Sequence, residues 1–206
     1  MHMKKRMIIG ITGATGIIYG IRLLEVLKQL EIETHLVVSK SAQLTLHHET
    51  DKTIQDLKSL ADVYYSVHDL GAAISSGSYP TMGMIIAPCS IKTLSQVAYS
   101  MSDNLIARAA DVILKERKKL VLMVRETPFT LTHLRNMERV TENGGIIFPP
   151  VPAFYTKPQS LDDIVEQTIG RVLDLFDLDT RRFARWGEKV KIEGNTTTRT
   201  SEGILE

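Results

Sequence analysis

Short apolar runs alternate along this chain with longer segments in which apolar residues return every three or four positions. Met7 to Ile11 is apolar apart from Gly10 and runs into further glycine, the pattern of a strand buried on both faces. Ile17 to Leu30 carries Ile21, Leu24, Leu27 and Leu30 on one side, which predicts a helix. Thr34 to Val38 reads as a second strand ending at Ser39, with helices over Ala42 to His48 and Ile54 to Leu60. Met84 to Ala87 and Leu120 to Val124 are further buried-type strands on either side of a helix from Leu105 to Lys115. A helix over Leu131 to Glu142 leads to a short strand, Ile146 to Phe148, stopped by Pro149-Pro150; Leu161 to Phe176 is the last strong helix. This alternation predicts a doubly wound α/β fold of the Rossmann/flavodoxin-like kind, a parallel sheet with helices on both faces and right-handed crossovers. In such a sheet the ligand lies beyond the carboxyl ends of the strands. From Gly187 the chain turns polar and loses its period, so a single domain over 1–186 and a tail over 187–206, mobile or ordered at an interface, are expected.

Composition narrows the class. With 206 residues, 43% apolar and 24% charged, the chain has the make-up of an ordinary globular domain. A net charge of +1 gives no electrostatic case for nucleic acid or an anionic membrane. A single cysteine rules out an intrachain disulfide. The basic start Lys4-Lys5-Arg6 precedes an apolar run too short for a signal segment, and no stretch approaches a membrane span. A cytoplasmic protein is expected.

Two segments have the form of anion-binding turns. Gly10-Ile-Thr-Gly-Ala-Thr-Gly16 closes the first strand and opens the first helix, and Thr12 and Thr15 can offer hydroxyls there. Its glycines are three apart, so it is not the dinucleotide fingerprint, and a packing turn is one reading; its place between a strand and a helix favours phosphate contact. The second, Gly77 to Thr93, reads as a Gly/Ser/Pro loop and a strand that stops at Pro88. A helix then opens at Cys89-Ser90, where free N–H groups and the helix dipole both favour phosphate. Ser39 lies on the same rim and is equally well a simple N-cap. Lys115 is four residues after Asp111, and a surface pair worth ~0.2–0.5 kcal/mol is its default role. Arg125-Glu126 stands at the carboxyl end of a strand, where a guanidinium can clamp phosphate and a carboxylate can pass protons. Arg171 sits at the edge of the last helix's apolar stripe, open to two fates: a pair with Asp174 or a sheltered phosphate clamp. Cys89 has no local His or Asp partner and suits a small lining residue better than a nucleophile. The six histidines show no metal spacing, so no metal ligand set is expected.

These segments together resemble the flavin prenyltransferase family, the UbiX group, in the branch that accompanies aromatic or phenolic acid decarboxylases. The resemblance rests on Gly-Ala-Thr-Gly at 13–16, Ser-Ser-Gly-Ser-Tyr at 75–79, Ala-Pro-Cys-Ser-Ile-Lys-Thr at 87–93 and Arg-Ala-Ala-Asp-Val-Ile-Leu-Lys-Glu at 108–116. Arg-Glu-Thr-Pro at 125–128 and Pro-Pro-Val-Pro-Ala-Phe-Tyr at 149–155 complete it, in fixed order from about Met7 to Trp186. Thr15 departs from the serine of many members; its hydroxyl survives, with an added methyl that stiffens the rotamer.

The resemblance implies a transferase that joins a dimethylallyl group from dimethylallyl phosphate to N5 and C6 of reduced FMN, without a metal. It implies a UbiD-type decarboxylase as recipient of the prenylated FMN, and a homo-oligomer, a dodecamer, with active sites near subunit contacts. Gly13, Ala14, Thr15, Ser39, Ser90, Ile91, Lys92 and Thr93 would then hold FMN, with Arg125 on the flavin. Lys115, Tyr155 and Arg171 would grip the prenyl phosphate, often across a subunit boundary, and Trp186 would wall the allylic group. Glu126 would carry protons, with Glu49 a second active-site carboxylate beside Thr15 and Lys115. Two other readings stand beside it: a chain that decarboxylates aromatic acids itself, and a non-catalytic FMN-binding accessory subunit.

Overall fold

The computed structural model describes residues 4–183 and Arg185. The chain divides into two compact units, 1–150 and 151–206.

The first unit is built on six parallel strands: β1 (Arg6–Ile11), β2 (Glu33–Val38), β3 (Val63–Tyr65), β4 (Gly83–Cys89), β5 (Lys119–Val124) and β6 (Ile146–Ile147). Their order is β3-β2-β1-β4-β5-β6, so the sheet is wound outward in both directions from β1 and β4, as the alternation of elements requires. Connecting them are α1 (Ile17–Gln29), α2 (Lys40–Glu49), α3 (Ile54–Leu60), α4 (Ile91–Ala98), α5 (Leu105–Lys115) and α6 (Leu131–Glu142). Successive strand residues point to opposite faces. Ile8, Met84 and Ile86 therefore share one core with Leu94 and Val97 of α4 and Leu105, Ala109 and Ile113 of α5. α1 packs on β1, β2 and β4. The second unit holds a 3-10 turn, Phe154–Thr156, and α7 (Leu161–Asp174), started by a capping box between Ser160 and Asp163.

Several elements differ from those expected, most by one or two residues at an end. β4 does not stop at Pro88 but continues to Cys89. The missing proline N–H falls where the β4–β5 register shifts between Ile86 and Cys89, so no ladder bond is lost. β3 has only three residues and was not expected; its Val-Tyr-Tyr composition suits an edge strand. α7 ends at Asp174, and Asp177 then adopts a left-handed conformation with φ 59 that no helix continues through.

A charged cluster marks the first turn of β2. Glu33 accepts a bond from Arg6 Nε at 2.9 Å, lies 3.3 Å from Lys4 Nζ and contacts buried His35 Nε2 at 3.0 Å. Desolvation opposes ionisation of Glu33, but the bonds from Arg6, His35 and Lys4 outweigh it and hold its pKa at about 2. Desolvation also pushes His35 below its ordinary value, against the pull of Glu33. Both groups take up protons more readily in the unfolded chain, so both make stability fall with acid. The histidine contribution begins below its ordinary value of 6.5, and the carboxylate contribution runs from 4.5 down to about 2. Glu33→Gln is expected to lower stability at pH 7 by about 2 kcal/mol and to converge with the native protein near the low end of that range. Urea unfolding at both pH values checks it, and equal stability at pH 7 would contradict it.

Candidate functional site

The loops after five strands converge on one cavity of about 770 Å³ at the carboxyl edge of the sheet, astride the point where the winding reverses between β1 and β4. Its wall takes Gly13, Ala14 and Thr15 from the loop after β1, and Ser39, Lys40, Ser41 and Leu44 from the end of β2 and start of α2. Val67 and His68 follow β3, Ser90 to Thr93 and Gln96 follow β4, and Arg125 with Glu126 follows β5. Asp103, Asn104 and Ile106, where α5 begins, complete the lining. The volume is in the range that binds a mid-sized organic ligand, ~300–1,000 Å³.

Thr12 ties the two central loops together. Its hydroxyl donates to the Pro88 carbonyl at 2.8 Å and accepts from the Ser90 N–H at 2.8 Å, and its own N–H reaches Pro88 O at 3.2 Å. The Thr12 hydroxyl offered by the sequence as a ligand donor is thus spent inside the fold, while Thr15 remains exposed on the cavity wall. Ser90 caps α4, accepting from Thr93 N at 3.4 Å with its Oγ 3.2 Å from Thr93 Oγ1. Ser39 caps α2 through Ala42 N at 3.2 Å and also lines the cavity, so its two readings coexist.

Gly13 lets the first loop lie directly on α2. A Cβ there would stand 2.3 Å from Ser41 Oγ and 3.0 Å from the Ser41 carbonyl carbon, so the start of α2 would have to move. Gly13→Ala is expected to cost about 1–3 kcal/mol, as overpacking generally does. A thermal melt showing no loss would contradict this close approach.

Cys89 is fully buried, and desolvation raises its thiol pKa well above the ordinary value. It is a packing residue.

Glu49, exposed at the end of α2, turns back onto the opening of α1. Its Oε2 accepts from Gly16 N at 2.9 Å and Ile17 N at 2.9 Å, and Oε1 from Gly16 N at 3.2 Å. The N-terminus of α1 is therefore already occupied by a carboxylate, beside Thr15. Glu126 is exposed, with Oε1 accepting from Thr127 N at 3.0 Å, next to exposed Arg125.

Lys115 does not line the cavity. The cavity meets α5 at Asn104 and Ile106, whereas Lys115 ends that helix, about 15 Å further along its axis at 1.5 Å per residue. The expected Asp111–Lys115 pair is not formed. Arg108 Nη1 takes Asp111 at 3.3 Å, and Lys115 pairs with Glu116 against Gly77.

The second unit carries Tyr155 in its 3-10 turn, 47% exposed, and Arg171 on α7. Arg171 Nη1 bonds Asp174 Oδ2 at 2.9 Å, the pair foreseen as one of its two fates. Trp186 and the tail from Gly187 lie outside the described residues. Among the described residues no group of three or more His, Cys, Asp or Glu side chains is placed to hold a metal ion, and no helix is long and apolar enough to cross a membrane.

Leu44, Val67, His68, Gln96 and Asp103 were not anticipated in the lining. Only the connection after α4 left a trace in the sequence, a Ser-Asp-Asn run at 102–104 in which Asn104 caps α5.

The Flavoprotein family profile matches residues 1–173. The chain is 58% identical over 181 residues to the flavin prenyltransferase UbiX of Thauera aromatica, covering 88% of this chain and 93% of the relative. Its structure superposes on the crystal structure of AnUbiX (PadA1) in complex with FMN and dimethylallyl pyrophosphate, with a TM-score of 0.89 and 50% identity over 90% of this chain and 99% of that one. A dodecameric FMN-dependent UbiX-like decarboxylase from Escherichia coli O157:H7 matches with a TM-score of 0.87 and 46% identity, over 89% and 100% of the two chains.

Proposed function

The chain belongs to the UbiX flavin prenyltransferase family, and from that membership we propose that it joins a dimethylallyl group from dimethylallyl phosphate to N5 and C6 of reduced FMN. The prenylated FMN passes to a separate UbiD-type decarboxylase as its cofactor. The observation that carries this reading is the five-loop cavity over the reversal of the sheet, with Arg125 and Glu126 at one strand end and the opening of α4 at another.

The residues present fit FMN. Gly13 omits a side chain that would displace the loop next to the cavity, and Ile91 and Lys92, whose N–H groups open α4 without intrahelical acceptors, line that cavity. Because Glu49 already fills the start of α1, the phosphate of FMN finds its amide donors at Ile91 and Lys92, with Ser90 and Thr93 beside them, whose own N–H groups go to Thr12 and to the Ser90 cap. Gly13, Ala14, Thr15 and Ser39 flank it, and Arg125 contacts the flavin. When bound, reduced FMN supplies the nucleophilic nitrogen and carbon.

Lys115, Tyr155 and Arg171 hold the prenyl phosphate. Negative charge grows on that phosphate as the allylic C–O bond breaks, and fixed cations with a phenol stabilise it. Trp186 walls the allylic group against water. Glu126 carries the proton, and Glu49 keeps the turn at Thr15 in place. The distance of Lys115 from the cavity of its own chain supports a role in a neighbouring subunit's site, and hence a homo-oligomer, for which the dodecameric Escherichia coli relative supports a dodecamer.

The Escherichia coli relative, an FMN-dependent UbiX-like decarboxylase, favours a second reading, in which the chain decarboxylates aromatic acids itself. Incubating the FMN-loaded protein alone with a phenolic acid separates the two. No carbon dioxide is expected, and its release at a catalytic rate would overturn the proposal.

A further inference from the structure

The pair between Arg171 and Asp174 is one side of a larger brace. Arg185 grips the same carboxylate with two bonds of 2.6 Å, Nη1 to Oδ2 and Nη2 to Oδ1, and Nη2 also reaches Asp179 Oδ1 at 3.1 Å. A bidentate guanidinium–carboxylate contact is the strong form of this bond and fixes the plane of the carboxylate. Accessibility grades across the trio, with side chains 16% exposed at Asp174, 27% at Arg185 and 49% at Arg171. Asp174 is thus anchored from behind, and Arg171 stands on its open side.

The anchor is itself held. Phe183 is 6% exposed and lies on α7 at Gly170, where a Cβ would come within 2.0 Å of the ring. The Arg185 guanidinium stacks over that ring at 4.8 Å. Gly170 therefore lets the chain after α7 fold back along the helix one residue before Arg171. That return delivers Arg185 to Asp174. Two cations on one carboxylate also leave the charge of Arg171 incompletely cancelled, and of its five N–H donors this bond engages one.

We infer that Asp174, fixed by Arg185, is the positioning residue that orients the Arg171 guanidinium toward the prenyl phosphate. The inference rests on the assignment of Arg171 to that phosphate. Asp174 touches no substrate in this account. It turns a flexible side chain into a preset one, so that the bond to phosphate is made with less loss of rotamer freedom.

Asp174→Asn and Arg185→Ala test it, each alone and combined with Arg171→Ala. Each single variant is expected to raise KM for dimethylallyl phosphate about tenfold, with kcat changed less and FMN affinity unchanged. Calorimetric binding of dimethylallyl phosphate to the unreactive oxidised-FMN complex should weaken by the same factor. In the Arg171→Ala background, Asp174→Asn should add less than about twofold, because the side chain it acts through is gone. Thermal melts of the variants keep loss of folding separate from loss of positioning. An equal rise in KM in both backgrounds, or no rise from either single variant, would overturn the inference. If Arg171→Ala itself left KM unchanged, the phosphate assignment would fall first and the brace with it.

Discussion

Glu126→Gln is expected to bind FMN as the native protein does and to form prenylated FMN about 10²–10⁴ times more slowly, the usual contribution of a positioned acid or base. Gln keeps the size of the side chain and an oxygen to accept the Thr127 N–H, which Glu126 Oε1 takes at 3.0 Å. What is lost is the ionisable group, at a strand end that opens onto the cavity. The alternative carboxylate, Glu49, is engaged with the Gly16 and Ile17 amides and caps α1. Rapid-quench mass spectrometry of the flavin checks the expected rate. An unchanged rate would remove Glu126 from proton transfer and return that role to Glu49 or to the phosphate.

Lys115→Ala is expected to lower prenylation roughly ten- to a hundredfold, the effect of losing a charge-assisted contact of ~1.5–3 kcal/mol. The larger effect is its rescue. If Lys115 serves the cavity of another subunit, subunits carrying Lys115→Ala and subunits carrying Glu126→Gln fail for different reasons and can complement each other. Unfolded and reassembled together in equal amounts, they should regain roughly a quarter of the native activity, the share of sites that draw both native residues under random assembly. Each variant reassembled alone should stay near its own low level. No gain on mixing would place Lys115 and Glu126 in the same subunit's site.

The sequence made the ends of the central strands readable because each passes from a buried apolar run through small residues into a capped helix. Gly13 to Thr15 and Ser90 to Thr93 are such passages, and they line the cavity. Ser39 and Arg171 show why spacing alone left two readings. A serine that caps α2 also faces the cavity, and an arginine that pairs with Asp174 is still half exposed. The register shift that admits Pro88 into β4 is a property of the sheet and has no local mark. β3 was too short for a period to appear. Lys115 was legible as a member of a motif, but not its distance from the cavity, since that depends on which end of α5 faces the carboxyl edge of the sheet. His68 and Gln96 were hidden for a similar reason, because a side chain becomes part of a wall only when separate loops are brought together.

The central claim is that this chain itself makes prenylated FMN. Mass spectrometry of the flavin after anaerobic incubation of the protein with reduced FMN and dimethylallyl phosphate tests it most directly. A new flavin heavier than FMN by one dimethylallyl substituent, formed over many turnovers and roughly ten- to a hundredfold more slowly when Arg171→Ala replaces the native protein at the same concentration of prenyl phosphate, is the predicted result. Recovery of unmodified FMN alone, from protein shown to have bound both compounds, would contradict it.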